Sequence, residues 1–144
     1  MRLADKAQAR ATRVIAVAGF ALLSGCVSGI SIDDKAARNA LSTYLNAERA
    51  GDARGTYALV SSNARRNTSQ DQLQALVEQS KSNGTALTDF VVDKGVFPVD
   101  GSSSVVKVSA SVTHGRAGAK QFDAIVVDES GAWRVDTLRP KAKH

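Results

Sequence analysis

Little in this chain of 144 residues is equipped for covalent or metal chemistry. It has a single cysteine, Cys26, so no disulfide can close within it and no pair of thiolates can hold a metal. The imidazoles are His114 and His144 alone, and no ligand cluster at i, i+3 or i, i+4 spacing accompanies either. None of the serines stands in a Gly-x-Ser-x-Gly turn, and no glycine-rich phosphate cradle precedes a helix. Internal repeats, low-complexity tracts and a Pro- or Ser-rich stalk are all missing. These absences argue against a disulfide scaffold, a zinc site, a nucleotide-binding loop and a serine hydrolase. No cofactor and no metal is implied.

The positive charge is also thinner than its total suggests. The net charge is +5, but Arg2, Lys6, Arg10 and Arg13 sit against one acid, Asp5, in the first 25 residues. Most of the excess therefore belongs to that segment, and the remainder gives no reason to expect a nucleic-acid partner. The early basic residues lead into an apolar run, Val14-Ile15-Ala16-Val17-Ala18-Gly19-Phe20-Ala21-Leu22-Leu23, too short to span a bilayer as a finished helix. A basic start, a short hydrophobic core and small residues before a cut site form a secretory signal. The run ends in Leu23-Ser24-Gly25-Cys26, which resembles the lipobox of bacterial lipoproteins. That resemblance implies a signal peptide over 1–25, cleavage before Cys26 and a diacylglyceryl group on its thiol. The protein would then be held in the cell envelope by its N-terminal lipid. Val27 stands after the cysteine where an aspartate would alter sorting, so in a host with two membranes the resemblance favours the outer membrane, facing the periplasm.

Residues 26–32 are small and read as a lipidated tether that reaches roughly 20 Å at about 3.3 Å per residue. Beyond it the chain divides into helices, then strands. Ser31 and Asp34 have the placement of a capping pair, and Ala37, Leu41, Tyr44 and Leu45 fall on one helical face until Ala50-Gly51. Asp52 can cap a shorter helix with Ala53, Tyr57 and Val60 on one side, broken by Ser61-Ser62-Asn63. Arg65-Arg66 would lie in the next loop. A third helix begins near Thr68 or Ser69, where Ser69 and Gln72 have capping-box spacing; its inner face is Leu73, Leu76 and Val77, and Asn83-Gly84 stops it.

From Thr88 the period becomes strand-like. Val106, Val108, Ala110 and Val112 alternate with Lys107, Ser109 and Ser111, which predicts a strand with one wet face. Phe122–Val127 and Trp133–Leu138 come after short turns, and such links favour antiparallel neighbours. Trp133 is expected to fill the core where the last strand meets the first helix. Residues 139–144 read as a basic, solvated tail.

The end of the first helix, Tyr44-Leu45-Asn46-Ala47-Glu48-Arg49-Ala50-Gly51-Asp52, and the closing Gly131-Ala132-Trp133-Arg134-Val135 resemble small lipoproteins of the NTF2-like, or cystatin-like, fold, many known only as domains of unknown function. The resemblance implies an α+β domain over 33–138, with N-terminal helices packed on a curved four-stranded antiparallel sheet to form a cone. It implies no chemistry, because one fold hosts many functions.

Three readings are consistent with these residues. The first is a noncatalytic module that binds an envelope protein or supports an envelope assembly, with a homodimer through the outer sheet face where Lys107, Ser109 and Ser111 leave a flat surface. It predicts a largely filled cone. The second is a carrier or sensor of a small apolar ligand, lined by Leu41, Tyr44, Leu76, Phe90, Val108, Ala110 and Phe122, and it predicts a cavity. The third is an isomerase-like or dehydratase-like enzyme drawing on Tyr44, Tyr57, Asp89 or His114, and it predicts a carboxylate or histidine buried beside a tyrosine. Asp89 near a strand start and His114 before a Gly-rich turn are expected to be exposed. The first reading is preferred, and no catalytic residue is assigned.

Overall fold

Apolar residues spaced four apart on a helix need a surface to cover them, and a strand that alternates valine with serine offers one. In the computed structural model this pairing organises the domain. Residues 33–142 are described; the signal segment, Cys26, the tether and Ser31 lie outside them. Helix α1 (Asp34–Arg49) carries Ala37, Leu41 and Leu45, all without exposure. Its cap is Asp33, whose Oδ1 accepts from the Ala36 N–H at 3.0 Å, rather than the expected pairing of Ser31 with Asp34. The helix ends at Ala50, and Gly51 takes the left-handed φ of 72° that a β-carbon would disfavour.

Asp52 caps α2 (Ala53–Ala58) by accepting from the Gly55 N–H at 2.9 Å. The expected break at Ser61-Ser62-Asn63 is instead the start of a further short helix, α3 (Ser62–Asn67), because the Ser61 hydroxyl accepts from the Ala64 N–H at 3.0 Å. Arg65 and Arg66 therefore lie in the last turn of a helix, not in a loop. Arg65 is engaged there: it donates to the Ala58 carbonyl at 2.8 Å and its guanidinium lies 5.4 Å from the centre of the Tyr57 ring. Helix α4 (Gln70–Asn83) has the expected capping box between Ser69 and Gln72 and stops at Gly84, φ 68°.

Strands β1 (Leu87–Pro98), β2 (Val105–His114), β3 (Gly118–Glu129) and β4 (Ala132–Pro140) form an antiparallel meander in chain order. Strand β4 runs two residues into the segment expected as a tail, since Arg139 and Pro140 pair with Asp123 and Phe122. The register sets Val106, Val108 and Ala110 beside Val126, Ala124 and Phe122 on the face that receives α1. Of these six, all but the half-buried Phe122 have no exposure. Each buried valine or leucine contributes about 1.5–3 kcal/mol relative to an exposed one, so this α1–sheet layer is the main source of stability. Trp133 and Leu138 pack on it half-buried. Irregular pairing between Val92 and Val96 on β1, and at Asp136 on β4, bends the sheet. The fold is α+β, with helices against one face of a four-stranded antiparallel sheet.

The α2–α3 corner is fastened to β4. Val60 bridges Val135, the Ser61 N–H donates to the Val135 carbonyl at 2.9 Å, and the Val135 N–H donates to the Leu59 carbonyl at 3.0 Å. The bulge residue Asp136 accepts from the Ser61 hydroxyl at 2.5 Å. Among the described residues, no helix is long and apolar enough to cross a membrane.

Candidate functional site

The helical stripe of α1 continues to its last turn. Tyr44, beside Leu41 and Leu45, packs half-buried against the core, and Glu48 follows it one turn later, near the His114 end of β2. Helix α4 stands opposite, and a half-open cavity of about 250 Å³ lies between. Its apolar wall is Leu73, Leu76, Val77 and Leu87; its polar groups include Tyr44, Glu48, Lys81 and His114.

Glu48 is the unusual member. Among the described residues its Oε2 is sealed from solvent and meets no hydrogen-bond donor, and burial pushes its carboxyl above the ordinary glutamate value. Burial, with a smaller contribution from the Glu48 charge, also pushes the Tyr44 phenol up. Burial and then the charge of Lys120 hold His114 below its ordinary value. That histidine is half-buried on the cavity wall, 5.5 Å from the Phe122 ring centre, and not exposed as its place before Gly115 suggested. Arg49 and Lys81 are at the exposed rim. Arg49 lies 5.4 Å from the centre of the Phe90 ring and donates to Asn46 at 2.8 Å. The Lys81 amine lies over Gly51, where a β-carbon would come within 2.5 Å of its Nζ.

Of the seven residues expected to line a pocket, the structure brings Tyr44 and Leu76 to this cavity. Leu41, Val108 and Ala110 are fully buried in one core cluster, because α1 packs across the sheet and fills the centre of the cone. Phe90 and Phe122 pack against that core, half-buried, and do not line the cavity. Leu76, expected on an inner face, is 56% exposed, since α4 rolls Leu73 and Val77 inward instead. Asp89 is exposed, its carboxylate accepting from the neighbouring Phe90 N–H at 2.9 Å. Glu48, Arg49 and Lys81 were missed as site residues. The signal for Glu48 was its i+4 spacing from Tyr44.

On the opposite side of the sheet, Val91 and Phe97 are 63% and 57% exposed. Lys107, Ser109, Ser111, Ile125 and Val127 share that face, half-exposed, with Lys107 Nζ 5.9 Å from the Phe97 ring centre. Ser109 donates to the Asp123 carboxylate at 2.6 Å.

No protein-family model and no curated protein matches the chain. Among solved structures it is similar to a Campylobacter jejuni protein described as a candidate NTF2-like transpeptidase. The two are 11% identical, with 67% of this chain and 94% of that chain covered and a TM-score of 0.46. A likeness of that degree carries nothing about chemistry.

Proposed function

We propose that the chain is an envelope lipoprotein, anchored by lipid on Cys26, whose NTF2-like domain is a noncatalytic protein-binding module that pairs with a second copy through its outer sheet face. The observation that carries this reading is the uncovered apolar face with Val91 and Phe97 at its edge. The centre of the sheet's other face is filled by α1; the cavity at its edge sets the buried Glu48 carboxylate beside Tyr44 and His114, which favours the enzyme reading as the alternative. Val105, Ile125 and Val127 continue the apolar surface, and Lys107 and Asp123 place both charge signs on it. An interface about a two-fold axis must be complementary to itself, and a face that carries apolar groups and both charge signs can meet that demand. Four strands about 4.8 Å apart and about ten residues long give a footprint on the order of 600 Å². A stable interface takes about 800 Å² per partner, so the sheet supplies most of one.

The membrane part is tested by Cys26→Ala, which should abolish lipid labelling and release the protein from membranes; unchanged retention would refute the anchor. For the module, sedimentation of the full chain should show a dimer that Ile125→Lys converts to monomer with the fold intact. A wild-type monomer at high micromolar concentration would refute the pairing.

A further inference from the structure

We propose that the cavity between the last turn of α1 and α4 binds a small molecule with an apolar body and an ammonium group, the ammonium resting on the Glu48 carboxylate. The site is separate from the outer sheet face. Its central feature is a carboxylate with a sealed, unpartnered oxygen, an arrangement that costs folding free energy and that the protein's own donors leave unrelieved.

The groups around it explain why the opposite charge comes from outside. On α1, Arg49 is committed to Asn46 and the Phe90 ring. On α4, the Lys81 amine lies over Gly51 at the exposed rim. On β2, His114 is held toward its neutral form. Tyr44, one turn earlier on α1, is held as a neutral phenol. Thr85, Ala86 and Leu87 bring no charge from the approach to β1. Arg49 and Lys81 are solvated and flexible, so their fields are screened, whereas the field of Glu48 acts within an apolar wall. An ammonium supplies both the opposite charge and several donors. An alcohol supplies a donor without the charge, and a carboxylate is repelled.

The rest of the cavity suits the rest of such a ligand. Leu73, Val77 and Leu87 provide the apolar lining, and about 250 Å³ admits a short alkyl chain. Oε2 itself is closed to solvent, so the ammonium reaches it only as α4 shifts; α4 has no buried residue, so this wall can move without breaking the core. Because the ionised carboxylate is the binding form, affinity rises with pH through the elevated Glu48 pKa and then levels off.

Calorimetric titration of the full chain with hexylammonium, hexanol and hexanoate tests the proposal. Hexylammonium should bind about tenfold more tightly than hexanol, a difference of about 1.4 kcal/mol, and hexanoate should not bind. Glu48→Gln should remove that advantage and leave hexanol unchanged, while Val77→Trp should weaken both by filling the cavity. Phe97→Lys, on the other face, should bind hexylammonium like the wild type whether or not the protein pairs. The proposal fails if hexanol or hexanoate matches hexylammonium, if none of the three binds, or if Glu48→Gln keeps the preference. The ranking on the wild-type protein decides it even without a variant.

Discussion

Helices α1 and α4 are nearly equal in length, 16 and 14 residues, yet they belong to different kinds of structure. Ala37, Leu41 and Leu45 of α1 are sealed against a sheet whose facing valines and alanines on β2 and β3 have no exposure either. Helix α4 has no buried residue at all. It is held by its capping box, by its packing beside α2 and by one tie at its end, where the Arg116 N–H donates to the Gly84 carbonyl at 3.0 Å. The difference shows how a small domain makes room for a site. One helix supplies the stability, and the other supplies a wall that can move. The cavity lies along their boundary, closed at one end by Leu87 and His114 of the sheet.

The widest separation should come from truncating one leucine in each helix. Leu41→Ala should cost about 3 kcal/mol, because it opens a void in a sealed core, whereas Leu76→Ala should cost about 0.5 kcal/mol or less. Urea denaturation measures both, and similar losses would erase the contrast between the helices. Gly115→Ala should come next, at about 1–2 kcal/mol. Its φ is 40°, and a β-carbon there would overlap the Gly84 carbonyl oxygen, so the tie on α4 must give way. Hydrogen exchange should then quicken in α4 and stay slow in α1.

A smaller effect, of opposite sign, is expected at the boundary. The folded state raises the Glu48 pKa, so stability falls as pH rises above the unfolded value toward the folded one. Glu48→Gln should therefore raise Tm at pH 8 and leave it nearly unchanged at pH 4. A lower Tm at pH 8 would mean that the carboxylate is a structural partner rather than an unsatisfied site group. The smallest effect belongs to Glu129, which accepts from the Ser62 N–H at 2.7 Å and from its hydroxyl at 2.9 Å. The backbone bond above all holds its pKa down; burial opposes it, and the hydroxyl bond, Arg134 and Arg65 add to the lowering. Its contribution is present above the unfolded carboxylate value and is lost as pH falls through the folded one. In solvent this should appear as slightly lower exchange protection of α3, relative to intrinsic rates, at acid pH, a change abolished by Glu129→Gln.

Local signals in the sequence carried far. The stripe at 37, 41 and 45, the box at Ser69 and Gln72, the stops at Gly51 and Gly84, and the alternation along β2 are short-range patterns, and all recur in the structure. The failures are as instructive. Ser61 reads as a breaker by composition, but its hydroxyl caps α3 and donates to Asp136, 75 residues away. Val108 and Ala110 read as pocket lining because they face inward, but facing inward does not say whether a helix already fills the space. Leu73, Leu76 and Val77 read as one inner face, but the roll of α4 depends on what it packs against.

By itself the sequence determined all the elements but the short helix α3, their order and which face of each strand is apolar, because caps, turns and periodicity act between residues close along the chain. It also carries the Leu23-Ser24-Gly25-Cys26 segment on which the proposed anchor rests. Only the tertiary structure decided that the centre of the cone is filled, that α4 stands clear of it, and that Glu48 is left without a donor. Those outcomes depend on the depth to which one element covers another. That depth is set by packing between residues far apart in sequence, which no local pattern encodes.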